Sequence, residues 1–190
     1  VILGVLKTPE VAGIFDIGLR GASFIFFPLI AVTMPLAPLI SELYVRGDIE
    51  RLNNLIKKSV TIAFLGGIVM AALLLSNRDV FWGMFGSKFQ RGSGAFVILG
   101  IGYVTSIALG PVATLLNMTE NERVSAFGVM MGVLLTTLFC LLLIPFLSLK
   151  GAALAVILGE LSWRIFLAVR SERRCGIRSG LVKFTKGLEK

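Results

Sequence analysis

Five long apolar runs divide this chain, at 21–40, 59–75, 95–116, 124–146 and 149–169. About 20 apolar residues in a helix cross the hydrocarbon of a membrane. Membrane strands would instead show segments of about 10 residues in which apolar and polar positions alternate, and these runs do not alternate. The pattern therefore predicts an all-α, polytopic membrane helical bundle. The first run is expected to be helical over 11–44. The chain opens on VILGVL, which has neither the basic segment nor the small-residue cleavage site of a signal peptide. It reads as the end of a truncated sixth helix. The expectation is five full transmembrane helices plus that remnant, in a fragment of a longer protein.

The segments between the runs carry patterns of their own. Over 48–58, Ile49, Leu52, Leu55 and Ile56 fall on one helical face, and Glu50, Arg51, Lys57 and Lys58 lie off it. Asp48 is placed to cap the helix, and Glu50 suits the positive end of its dipole. This predicts an amphipathic helix running along the membrane surface before the second span. The stretch 77–92 concentrates Phe81, Trp82, Phe85 and Phe89. Aromatic side chains favour the membrane–water boundary, so a short interfacial helix is expected there. A stacking platform for nucleic acid uses similar residues, but its place between two membrane spans argues against it.

Inside the spans, small residues recur every four positions: Gly102, Ser106 and Gly110; Gly151, Ala155 and Gly159; Gly128 and Gly132. That spacing lets membrane helices approach closely. The first span holds Pro28, Pro35 and Pro38. Each removes a backbone hydrogen bond, which a membrane helix tolerates when its neighbours re-satisfy the freed carbonyls. Pro35 and Pro38 are expected to bend the span beside the bundle's cavity.

Composition points to lipid as the solvent. Of 190 residues, 56% are hydrophobic and only 16% charged, against roughly 25% charged in an ordinary soluble domain. The formal net charge is +8, and its placement accounts for it without nucleic acid. Arg46, Arg51, Lys57 and Lys58 follow the first span, and Arg123 follows the third. Arg170, Arg173, Arg174, Arg178, Lys183, Lys186 and Lys190 follow the fifth. The opposite side holds Lys7, Arg78, Lys88, Arg91 and Lys150. Lys and Arg accumulate on the cytoplasmic side of membrane proteins. The bundle, 1–170, thus leads into a basic cytoplasmic tail, 171–190. Cys140 lies inside the fourth span and Cys175 in that tail, in different redox compartments, so no disulfide is expected.

Little here suits an enzyme. The chain has no histidine, which removes the usual general base, the Ser-His-Asp arrangement and most zinc sites. It has no glycine-rich phosphate loop of the Walker type. No catalytic residue, metal ligand or cofactor is assigned. What remains are ionisable residues inside helices. Arg20 follows Asp16 by four residues and, about 20 residues before the boundary near Ser41, is expected at the outer mouth of the bundle. Ion pairing with Asp16 and snorkelling are its structural explanations. Glu160 falls about 16 Å into the fifth span, close to the bilayer centre, with Arg164 one turn on. An isolated charge at that depth costs about 3 kcal/mol, so the two are expected to pair inside the bundle. The pair either orients the fifth span or forms a proton- or cation-sensitive site, as intramembrane ionisable groups often do.

The segments VAGIFDIGLRGASF (11–24), PLISELYVRGDIERLNNL (38–55), VFWGMFGSKF (80–89), LLIPFLSLKGAALAVILGEL (142–161) and the basic exit RSERRCGI (170–177) occur in that order. Together they resemble the C-terminal half of the multidrug/oligosaccharidyl-lipid/polysaccharide (MOP) flippase superfamily, in its polysaccharide-exporter (O-antigen or oligosaccharide flippase) branch. The resemblance implies a transporter that flips a lipid-linked oligosaccharide across a bacterial or archaeal inner membrane by alternating access. The implied partners are a polyprenyl-(pyro)phosphate-linked glycan, membrane lipids and a preceding N-terminal bundle. In that setting Arg20 would attract the phosphate of the lipid carrier. The alternatives are a drug/cation antiporter of the same superfamily, relying on an intramembrane carboxylate such as Glu160, and a non-transporting membrane scaffold.

The charge distribution sets Arg46 and Arg174 in the cytoplasm and Arg91 outside. Single cysteines at these positions, in a cysteine-free background, can be probed with an impermeant thiol reagent. In intact cells only position 91 should label; labelling at 174 would reverse the orientation.

Overall fold

The computed structural model describes residues 3–4, 7–83 and 87–182. Among them every regular element is a helix. Helix α1, Pro9–Ser23, starts where Thr8 accepts from the Val11 amide. Pro9 stands in its first turn, where a missing donor is harmless. One 3-10 turn, Phe24–Phe26, joins α1 to α2, Phe27–Val45, and together they are long and apolar enough to cross a membrane. The departure from α geometry thus falls immediately before Pro28. Helix α2 stays helical through Pro35 and Pro38, which are both exposed.

Helix α3, Ile49–Ser76, is continuous for 28 residues. This corrects the expected surface helix: residues 49–58 are the first turns of the second membrane helix, in line with it. Asp48 does cap the helix, accepting from the Arg51 amide at 3.1 Å. The continuity has a simple cause. Buried Leu52, Ile56, Val60, Ala63, Gly67 and Ala71 follow one another at steps of three and four, a single unbroken stripe. No glycine or proline stands near Lys58 to end the helix.

A short helix α4, Arg78–Gly83, and a 3-10 segment, Ser87–Gly92, lead to α5, Ser93–Ala108. Trp82, in the short helix expected between the spans, is packed inside the bundle and 1% exposed. Gly18 and Gly92 make its slot, and a methyl group at Gly92 would stand 2.6 Å from its ring. Phe96 closes the slot edge-on, its ring centroid 5.9 Å away. Phe85, and the side chains of Phe81 and Phe89, fall outside the described residues.

Helix α5 is the centre of the bundle: 67% of its spanning window is buried, against 22% in each of the other candidate spans. The third span is not the single helix that was expected. It breaks at 109–111 and resumes as α6, Val112–Asn117. Gly110 has a φ of +75°, a left-handed conformation that glycine adopts without steric cost. Pro111 also disfavours the α conformation in the residue before it. Gly110 therefore ends the small-residue series as a helix break.

The last run, Glu122–Cys175, turns back at Ser148, whose φ of 49° and ψ of −122° are not helical. Its arms are α7 (122–147) and α8 (149–175), the expected fourth and fifth spans. Contacts between them close in on the corner in order: Gly128 against Leu167, Gly132 against Trp163, Gly159 against Thr136, Gly151 against Leu143. A side chain on any of these glycines would collide with its partner, so small residues set the spacing of an antiparallel hairpin.

Element ends sort to two sides. On one, Lys7 donates to the Pro145 carbonyl at 3.3 Å, and Lys150 lies against Gly94. On the other, residues 176–182 fold back across the bundle after Gly176, which is left-handed (φ 66°). There the Asn53 side chain donates to the Gly176 carbonyl and accepts from the Arg178 amide at 2.8 Å. Ile177 is buried with Leu52, Ile56 and Leu115.

If glycines set the hairpin spacing, Gly159→Ala should lower thermal stability in detergent by about 1–3 kcal/mol through overpacking. Gly13, where an added methyl would meet nothing within 4 Å, is the control. Gly13→Ala should be neutral or stabilising by up to about 1 kcal/mol. Equal melting temperatures for the two variants would contradict the packing argument.

Candidate functional site

Two helix interruptions and one charged turn of α8 meet at a cavity of about 610 Å³. The 3-10 turn and α2 contribute Phe26, Thr33 and Met34; the break contributes Pro111 and Thr114; α8 contributes Glu160, Trp163 and Arg164. Apart from the α8 turn and a few hydroxyls, the wall is apolar.

The local sequence explains the polar corner. Residues three and four positions after Glu160 lie on the same helical face, and both are donors. Arg164 Nε donates to Glu160 Oε1 at 2.6 Å, and Trp163 Nε1 donates to Glu160 Oε2 at 2.8 Å. Each carboxylate oxygen thus accepts one hydrogen bond. Arg164 reaches further: its Nη1 donates to the Gly110 carbonyl at 3.2 Å. Its guanidinium stands 5.1 Å from the centroid of the Phe26 ring and 4.8 Å from that of Trp163, within the range of cation–π attraction. The side chains of Arg164 and Glu160 are only 13% and 24% exposed, so this pairing operates in a low-dielectric setting, where an unpaired charge is costly. Glu160 and Trp163 also border a second cavity, of about 330 Å³, beside Gly132, Val133 and Thr136 of α7. The carboxylate therefore stands between two spaces.

The structure brings Glu160 and Arg164 together, as the sequence predicted. It does not bring the other candidates to them. Asp16 and Arg20 pair at 2.7 Å on α1, with side chains 55% and 80% exposed, and neither lines the cavity. Pro35 and Pro38 lie off the lining, while Met34 and Ala37 beside them are part of it. Sequence reasoning missed Trp163, Phe26 and Gly110. Trp163 carried a signal, as a donor three residues after a buried acid, and Gly110 carried one in the proline that follows it. Phe26 reaches the site through a distant backbone interruption.

Arg164 makes more of these contacts than Glu160 does. Arg164→Gln removes the ion pair, the bond to Gly110 and both ring contacts, leaving a half-buried carboxylate; the loss should be on the order of 3 kcal/mol. Glu160→Gln leaves the guanidinium without its counter-charge but keeps the Gly110 bond and both ring contacts, so it should cost somewhat less, about 2 kcal/mol. Exchanging the two residues restores the pair but not the Gly110 bond, so it should fall between them. Thermal unfolding in detergent, with membrane yield alongside, measures the order; Glu160→Gln as the more damaging change would refute it.

The sequence model of the MatE family matches residues 1–149 of the chain. No curated protein and no solved structure matches it. The matched part covers α1 to α7 and the corner at Ser148, including the first-span and break walls of the cavity. Glu160, Trp163 and Arg164 follow it in sequence. Members of this family are membrane transporters of the MOP superfamily, in keeping with helices long and apolar enough to cross a membrane several times. With most of its length matched, this chain belongs to the MatE family of multi-pass membrane transporters.

Proposed function

We propose that the protein moves a polyprenyl-(pyro)phosphate-linked glycan across a bacterial or archaeal inner membrane. It does so by alternating access, with a preceding helical bundle completing the pathway and the basic tail in the cytoplasm. The observation that supports this most is the occupancy of the charged corner. Glu160 accepts from Trp163 and is ion-paired with Arg164, so its charge is already matched and a cation would have to displace the guanidinium. Arg164 commits one Nε–H and one Nη1–H of the five it carries. Its remaining donors suit a phosphate, and the apolar wall suits a polyprenyl chain. The interruptions at Phe24–Phe26 and at Gly110 give the helices beside the cavity places to pivot. In the same reading, Arg20 attracts the carrier phosphate at the outer mouth, and Pro35 and Pro38 bend the first span.

A second reading, a drug/cation antiporter, is favoured by one observation: Glu160 borders both cavities and would bind a cation if Arg164 swung away. Vesicles containing the protein, its preceding bundle and a fluorescent lipid-linked glycan distinguish the two. The glycan should cross, and Arg164→Gln should slow it about ten-fold, as loss of one charge-assisted hydrogen bond implies. Export of cationic dyes without glycan movement, with ion dependence abolished by Glu160→Gln, would establish the second reading instead.

A further inference from the structure

At the open end of the α7–α8 hairpin, opposite Ser148, lies a separate cleft of about 330 Å³. Arg123, Val124 and Phe127 of α7 and Phe166 and Arg170 of α8 line it, and it shares no residue with the cavity at Glu160. The Phe127 and Phe166 rings pack with centroids 6.0 Å apart. Above the Phe166 ring, at 5.4 Å, stands the Arg170 guanidinium. Both arginines are exposed, and neither forms an ion pair with a described residue. Glu122, next to Arg123, is not part of the lining. Arg123 also sits in the first turn of α7, where the helix end is partially positive.

These features select an anion, and the surroundings say which kind. Two arginines without a carboxylate partner among the described residues favour a phosphate, which guanidinium groups bind through paired N–H donors. Arg123 and Arg170 directly bound the apolar runs 124–146 and 149–169, where a membrane span would pass from hydrocarbon to headgroups. Away from the cleft, Phe127 continues along one face of α7 as Met130, Leu134, Leu138 and Leu141, at steps of three and four. Each of these five side chains is half or more exposed. The stripe extends for about 21 Å, more than the depth of one leaflet of a bilayer roughly 30 Å thick. A free phosphate would use the arginines alone; a lipid would use the stripe as well.

We propose that this cleft binds an acidic membrane phospholipid, with its phosphate between Arg123 and Arg170 and an acyl chain along the stripe from Phe127 to Leu141. Because the cleft joins α7 to α8 at the end away from their turn, an occupant would hold the hairpin closed there.

The full chain, purified in detergent, can be tested by native mass spectrometry with added phosphatidylglycerol or phosphatidylcholine. Phosphatidylglycerol should be retained several-fold better. Arg123→Gln and Arg170→Gln should each weaken its retention about five-fold, on the scale of one arginine near an anionic headgroup. Arg173→Gln, on the same helix but outside the cleft, should not. Arg170→Lys should keep part of the binding, and elution volume and helical circular dichroism should be unchanged throughout. Equal retention of the two lipids, or equal losses in the Arg170 and Arg173 variants, would overturn the proposal. So would displacement of the lipid by millimolar inorganic phosphate, which would mark a simple anion site.

Discussion

A helix broken inside a membrane must find donors for the carbonyls it frees, because lipid supplies none. The break at Gly110 and Pro111 imposes that constraint on this bundle, and much of the structure is arranged around meeting it. Two carbonyls at the break are taken up from outside their own helix. Leu181, from the segment after α8, donates to Ala108 at 2.9 Å, and Arg164 donates to Gly110. A guanidinium in so apolar a place needs a counter-charge, which Glu160 supplies; the second oxygen of Glu160 then needs a donor, which Trp163 supplies. The charged corner is therefore continuous, bond by bond, with the backbone irregularity that opens the cavity wall.

The same residues tie the site to helix packing. Trp163, which holds Glu160, lies against Gly132 so closely that a side chain there would strike its ring. One turn away, Gly159 admits Thr136. The distance between α7 and α8 thus fixes where the indole sits, and through it the carboxylate. Small residues in this hairpin do more than allow close approach: they set the position of a hydrogen-bond donor. On the other side of the cavity, Phe26 reaches Arg164 because a 3-10 turn replaces α-helix just before Pro28.

What could be read from the sequence was whatever depends on neighbours a few residues apart. The five spans follow from apolar runs, the Asp48 cap from one side chain and one nearby amide, and the Glu160–Arg164 pair from one turn of helix. What escaped depends on distant partners. The stripe through Leu52 and Ile56 looks the same whether it faces headgroups or, as here, continues into a bundle helix. Trp82 reads as an aromatic of an interfacial helix, but the slot that Gly18 and Gly92, from separate elements, form for it is not visible in the sequence. Gly110 fell at the four-residue spacing of a packing motif. The break signal, a glycine followed by Pro111, was there beneath that spacing, and the positive φ shows that Gly110 ends a helix.

The seal on Ala108 also has an order in time. Helix α5 emerges from the ribosome and enters the membrane well before Arg164, and Leu181 follows later still. Until then the Ala108 carbonyl must be met by water or by a provisional partner, so the central helix of the bundle is in place before its final environment exists. Quality control during membrane insertion would therefore see this chain as unfinished until its tail is in place. Loss of residues 176–182 would leave the defect in α5, far away along the chain from the residues removed.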